Sequence, residues 1–330
     1  MRIIIDAFGG DKCPDAPVKA AISAVKKHDL SITLVGDEKL LKDLLCAYGC
    51  TDKRISIVHA PDIITNFEKP VEAVRHKKNS SVVVGAELLA RGDGDAFVSA
   101  GNTGAVLAAS LFNIGRIKGI RRPALAVLLP SVNGKTLLLD CGANTSCKPC
   151  DLYNFALMGN AYMQKIENIL NPAVALLSNG TEAGKGDALV QEVYPMLCES
   201  DLNFVGNVEG RDINLGNADV IICDGFSGNI ALKAVEGSAK LITQQLKEIL
   251  LKNKLVALLL KNKIKKLASQ FDYKAYGGAV LLGIKKPVIK AHGSSDENSF
   301  EAAINQAVQW VLTDADSYIE NMIKNIDVSM

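Results

Sequence analysis

The sequence carries almost no net charge: 37 Lys and Arg stand against 36 Asp and Glu, a formal +1. No global field therefore recruits nucleic acid or an acidic partner, and any basic patch has to be local. Apolar runs such as LVALLL at 255–260 are far too short to span a bilayer, so an encounter with a membrane would take place at its surface. No signal peptide opens the chain, and reduced thiols in a cytosolic protein are the expected state of its eight cysteines. Cys147 and Cys150 have C-x-x-C spacing, but neither a second such pair nor a His pair completes a zinc site. Their context, a loop after DCGAN, is also unlike a thioredoxin-type helix start. No metal is expected.

What is present is a 48% apolar composition over 330 residues, enough for a sizeable core. The stretch at 95–104, DAFVSAGNTG, organises the rest. Ala96, Phe97 and Val98 read as a short buried strand, and a helix opens near Thr103. Between them Ser99, Gly101, Asn102, Thr103 and Gly104 offer hydroxyls, an amide and unobstructed N–H groups at a helix N-terminus, where an anion would sit. The spacing matches neither a P-loop nor a dinucleotide fingerprint, so it predicts phosphate affinity without a nucleotide. The same small residues also serve simply to turn a chain closely against a sheet.

Read in order, the chain alternates. Strands at 2–6, 31–35 and 55–59, separated by helices, predict a parallel sheet covered on both faces. Residues 68–91 read as two helices broken near Asn79, with a basic run at Arg75, His76, Lys77 and Lys78 that is either a solvated face or a grip for an acidic protein. Asn133-Gly134 between apolar runs signals a hairpin, making the sheet mixed. Asp6, Asp140 and Asp224 each close an apolar strand and lead into small and polar residues; these loops are expected to converge on one sheet edge. A single terminal helix is expected from about Asp296 to Asn325. Leu255, Val256, Leu258, Leu259 and Leu260, flanked by Lys252, Lys254, Lys261, Lys263, Lys265 and Lys266, form a basic amphipathic segment suited to an anionic membrane surface or to a partner subunit.

IDAFGGD at 5–11, SAGNTGA at 99–105, DCGAN at 140–144, CKP at 147–149, GKG at 184–186, GNVEGRD at 206–212, DGFSGN at 224–229, YGGA at 276–279 and KAHGSS at 290–295 together resemble the bacterial phosphate acyltransferase family PlsX. The match in order and spacing covers essentially the whole chain. Cys13 and Cys141 depart from the residues usual there, and neither touches the polar motif positions. The resemblance implies one α/β/α sandwich over 1–330, Rossmann-like with a mixed, mostly parallel sheet, similar to the phosphotransacetylases and the isocitrate and isopropylmalate dehydrogenases. It implies synthesis of acyl phosphate from long-chain acyl-acyl carrier protein and inorganic phosphate, early in phospholipid synthesis, without a cofactor. It also implies a cytoplasmic homodimer attached peripherally to the inner face of the membrane, through the protrusion at about 250–270. The alternatives are a phosphotransacetylase-like enzyme using acyl-coenzyme A and a non-enzymatic membrane-associated dimeric scaffold.

That chemistry needs an anion cradle, an oxyanion hole and a means of protonating a thiolate. The 99–104 turn with Lys185 is assigned to phosphate. Asn229 and the backbone amides at 225–228 are assigned to the oxyanion, and His292 to proton transfer or phosphate binding. Asp6, Gly9, Gly10, Asp11, Asn144, Asp224, Ser227, Gly228 and Ser294 complete the candidate substrate-binding set. Some of the aspartates are expected to orient other groups rather than meet phosphate.

Overall fold

The computed structural model describes residues 1–252 and 277–327. The amphipathic segment with Leu255, Val256, Leu258, Leu259 and Leu260 lies outside them, as does Tyr276. Among the described residues eleven strands form one sheet. In chain order they are β1 (Arg2–Asp6), β2 (Ser31–Gly36), β3 (Ile55–His59), β4 (Ala96–Ser99), β5 (Ala124–Ser131), β6 (Gly134–Leu139), β7 (Val174–Leu177), β8 (Phe204–Val208), β9 (Val220–Ile222), β10 (Ala279–Leu282) and β11 (Val288–Lys290). The helices are α1 (Asp15–Lys27), α2 (Glu38–Ala47), α3 (Pro70–His76), α4 (Ser81–Arg91), α5 (Thr103–Ala109), α6 (Pro149–Lys165), α7 (Ala188–Cys198), α8 (Gly225–Lys252), α9 (Glu297–Thr313) and α10 (Ala315–Asp327).

Successive side chains of a strand point to opposite faces. Ile3 and Ile5 accordingly enter one core with residues of α1, α6 and α9, while Ile4 enters the other with α4 and α5. Leu137 and Leu139 separate from Leu138 in the same way. Both faces are covered, so these strands are apolar without interruption. The result is the three-layer α/β/α sandwich that the alternation predicts.

The strand order is β3-β2-β1-β4-β11-β10-β5-β6-β9-β7-β8. Pairings are parallel except at β11–β10, β10–β5 and β5–β6. Three successive reversals leave β6, β9, β7 and β8 running opposite to β1, β2, β3, β4 and β11. The polar loops after these strands therefore leave from two opposite edges of the sheet. This corrects the expectation of a single edge: each strand end was legible, but the relative direction of the two halves is set by pairings between strands distant in sequence.

The hairpin forms as predicted, with Ser131 opposite Gly134. The terminal helix does not run unbroken. Asp314 adopts left-handed backbone, φ 49°, and its N–H bonds Val311 O at 3.3 Å, which ends α9 and starts α10. Aspartate tolerates that conformation better than most residues, and the break lets Ile319 and Ile323 of α10 return to the core while Tyr318 Oη donates to Gln164 of α6 at 2.8 Å. Within the basic run, Lys77 is held by Glu68 at 2.8 Å, leaving Arg75 and Lys78 as its other cations.

The helix α4 approaches β4 closely at Gly85, where a Cβ would stand 2.4 Å from the Phe97 ring. Phe97 belongs to the strand that delivers Ser99 and Thr103. Gly85→Val is expected to destabilise the protein by about 2 kcal/mol through overpacking, read as a lower midpoint at unchanged slope in urea unfolding.

Candidate active site

A cavity of about 270 Å³ lies over the sheet where its direction reverses. Val127 of β5 and Ala279 of β10 form its base, and Lys290, His292 and Gly293, at and beyond the end of β11, form one side with Thr103. Gly142, after β6, closes the opposite side. Across the top runs α8, presenting Asn229, Leu232, Lys233 and Glu236, the i, i+3, i+4, i+7 stripe of a single helix face. Lys233 and Glu236 pair at 2.7 Å. Apolar strand and helix side chains thus sit beside a few convergent polar groups, the usual make-up of a small-molecule site.

On the first edge the predicted residues form the support of the cavity wall. Asp6, 1% exposed, accepts from Ser99 Oγ at 2.6 Å and from Phe8 N–H at 3.1 Å. Ser99 Oγ in turn accepts from Gly101 N–H at 3.0 Å. Burial pushes the Asp6 carboxyl pKa up, and these hydrogen bonds pull against it. Gly9 is needed because a Cβ there would meet Gly101 N at 2.5 Å. Asp11 N–H donates to Gly293 O at 2.8 Å, and Gly10 lies against the same carbonyl, so the first loop braces the last. Asn102 caps α5 by accepting from Ala105 N–H at 3.1 Å, and a Cβ on Gly104 would strike Pro70. Of this group only Thr103 lines the cavity.

The second edge is organised by Asp140, fully buried. Its carboxylate accepts from the N–H groups of Leu125, Gly142, Ala143 and Asn144 at 2.7–3.2 Å and from Asn144 Nδ2 at 2.8 Å. Asn144 O then takes Gly225 N–H at 2.8 Å. Asp224 takes the N–H groups of Phe226 and Ser227 on its side chain and that of Gly228 on its carbonyl, while Ser227 Oγ donates to the same carboxylate at 2.6 Å. The amides at 225–228, assigned from sequence to an oxyanion, are therefore each occupied within the protein. Their function is to start α8, which carries Asn229 into the cavity; the Asn229 amide makes no hydrogen bond among the described residues. Lys185 is exposed on the loop after β7, at this second edge, and is not among the residues lining the cavity.

His292 projects from the loop after β11. Its Nδ1 lies 3.1 Å from Ser294 N–H and 2.9 Å from Ser294 Oγ. A backbone N–H can only donate, so Nδ1 is the acceptor and the neutral ring carries its proton on Nε2. Ser294 is thereby an orienting residue. Cysteine chemistry is disfavoured: burial pushes the thiols of Cys141 and Cys223 well up and that of Cys147 up to about 12.

Sequence reading missed Lys290, Lys233, Glu236 and Gly142 as cavity residues. The helical stripe on α8 was available as a signal, since 229, 232, 233 and 236 share a face. For Lys290, the signal was a lysine closing an apolar strand immediately before Ala291 and His292.

This sheet, with its cleft at the reversal, defines the class as three-layer α/β/α proteins, and the same fold is found in phosphotransacetylases. A phosphotransacetylase from Streptococcus pyogenes superposes with a TM-score of 0.64 over 97% of this chain and 94% of its own, at 22% identity. The EutD phosphotransacetylase from Staphylococcus aureus gives 0.59 over 96% and 94%, at 18% identity. Sequence narrows the class. Residues 1–317 match the family described as fatty acid synthesis protein. A phosphate acyltransferase of Thermoanaerobacterium thermosaccharolyticum is 51% identical over 99% of this chain and 98% of its own length, and one of Thermoanaerobacter pseudethanolicus is 48% identical over the same shares. The chain belongs to this family of phosphate acyltransferases and is an acyltransferase. Among the described residues no helix is long and apolar enough to cross a membrane.

Asp140 satisfies four backbone donors at once. Asp140→Ala strands them in a buried site and is expected to cost about 3 kcal/mol or more, measured by chemical unfolding; Asp140→Asn, which keeps acceptor capacity, should cost less.

Proposed function

We propose that the enzyme transfers a long-chain acyl group from the thioester of acyl carrier protein to inorganic phosphate, releasing acyl phosphate and free carrier protein for phospholipid synthesis. The observation that carries this reading is the cavity itself: Thr103 and His292 from one half-sheet face Asn229 from the other across a partly apolar base. A phosphate oxygen attacks the thioester carbonyl carbon, the carbonyl oxygen becomes an oxyanion, and the carbon–sulfur bond then breaks to expel the phosphopantetheine thiolate, which takes up a proton. Phosphate is itself a nucleophile and the thioester is already activated, so the reaction needs no covalent enzyme intermediate.

His292 Nε2–H and the Asn229 amide are the donors for the developing oxyanion and for phosphate. The tautomer set by Ser294 favours His292 as a hydrogen-bond donor. Lys185, at the edge from which α8 starts, adds positive charge at the open side once substrate is bound. Asp6, Gly9, Gly10, Asp11, Ser99, Gly101, Asn102, Gly104, Asn144, Asp224, Ser227 and Gly228 hold the loops that position these groups. One sheet through all eleven strands supports a single α/β/α unit. We further propose that two copies act as a homodimer at the membrane, with Leu255, Val256, Leu258, Leu259 and Leu260 at the lipid surface, delivering the apolar product away from water.

Purified protein with palmitoyl-acyl carrier protein, phosphate and hydroxylamine should yield palmitoyl hydroxamate only when phosphate is present. Palmitoyl-coenzyme A in the same assay tests the alternative donor, and product from neither would sink the reading. Asn229→Ala and His292→Ala should each lose about 10²–10³-fold in kcat/KM while still binding anionic vesicles; retained activity would remove them from the chemistry, and loss of vesicle binding along with activity would point to misfolding.

A further inference from the structure

Lys290 ends β11 with its side chain in the wall of the cavity, and it is only 8% exposed. Its Nζ donates to Ala291 O at 2.5 Å. An ammonium has three donors, so two remain without a hydrogen-bond partner among the described residues, and no carboxylate there lies within ion-pair distance. A buried, unpaired cation is costly, and an apolar side chain of similar length would fill the same space without that cost. Its position is therefore poorly explained by packing.

The charges around it favour a compact anion. Asp6 faces it from the end of β1, but its carboxylate is engaged by Ser99 and Phe8. Asp11 follows on the same loop and acts on it only at long range. Across the cavity Lys233 pairs with Glu236, and its positive charge still reaches Lys290. Thr103 and His292 line the same cavity. The result is a nearly dry positive charge with spare donors, in the wall of a small cavity that two further donors also line.

We propose that the Lys290 ammonium is the charged anchor for inorganic phosphate, its two spare hydrogens binding phosphate oxygens so that a third oxygen faces the thioester carbonyl. This assignment deepens the acyl-phosphate reading and rests on it. It makes Lys290, rather than the exposed Lys185, the principal countercharge of the bound nucleophile. Burial pushes the Lys290 pKa down to about 8, with Asp6 pulling it back up, the Lys233 charge pushing it further down and Asp11 pulling weakly upward. Phosphate bound to the ammonium requires the proton, so affinity should be lost as pH rises through that value.

The test uses the full-length enzyme and inorganic phosphate as the probe. In Lys290→Met the KM for phosphate should rise about ten- to a hundredfold, with the KM for the acyl donor within about twofold and the unfolding temperature no lower than that of the wild type, since an unpaired buried charge has been removed. Calorimetric titration should show phosphate affinity of the wild type falling about tenfold per pH unit above that pKa, a slope absent from Lys290→Arg, which stays charged. An unchanged phosphate KM in Lys290→Met would overturn the proposal. If that variant does not fold, a wild-type affinity that stays flat with pH overturns it equally. Lys290-dependent phosphate binding without any hydroxamate product would leave the anchor standing and remove the acyl-transfer reading instead.

Discussion

The reversal of strand direction at the centre of the sheet is the constraint on which the rest depends. An all-parallel sheet would deliver every loop to one edge. Here β10 and β5 pair antiparallel between two parallel halves, and each half keeps its own carboxyl edge. The strand β10 has only four residues, about 13 Å at the usual rise per residue, so groups from both edges reach one small cavity. The helix α8 starts at one edge and crosses toward the other, and its inward stripe forms the roof. The same junction that divides the sheet thus creates the site.

Two aspartates carry out equivalent work on the two halves. Asp6 and Asp140 each close an apolar strand, each is buried, and each gathers donors from nearby loops. Burial raises both pKa values and the hydrogen bonds oppose it. Each carboxylate is committed to holding loops, and the Asp6 charge is still felt by Lys290 in the cavity wall. Their rigidity is also what holds Ser99, Gly142 and Asn144 in place. The cost of burying them is offset by the turns they organise.

Among the described residues Lys290 has less compensation: one hydrogen bond to Ala291 O and the charges of Asp6 and Asp11, none within ion-pair distance. Its stability cost and its place in the cavity wall point the same way, because an interaction left unmade in the free enzyme is available to a ligand. The Lys233–Glu236 pair opposite it shows the contrast: that cation has an ion-pair partner on its own helix.

Much was legible in the chain itself. The apolar runs and the turns between them specified nearly every strand, because a doubly covered strand must be apolar and must end in residues able to turn. Asp6, Ser99, Asp140, Asn144, Asp224 and Asn229 stood out through their place at those ends. Periodicity could not tell that Asp314 would break the last helix, since that depends on α10 finding a surface on α6. Nor could it tell that the amides at 225–228 would be consumed by Asn144 and Asp224, or that Lys290 would be nearly dry. Which segments are strands, and which strand ends are polar, follows from local hydrophobic pattern and turn chemistry and can be read along the chain. Which ends meet cannot, because strand direction and burial are set by pairings between residues far apart in sequence.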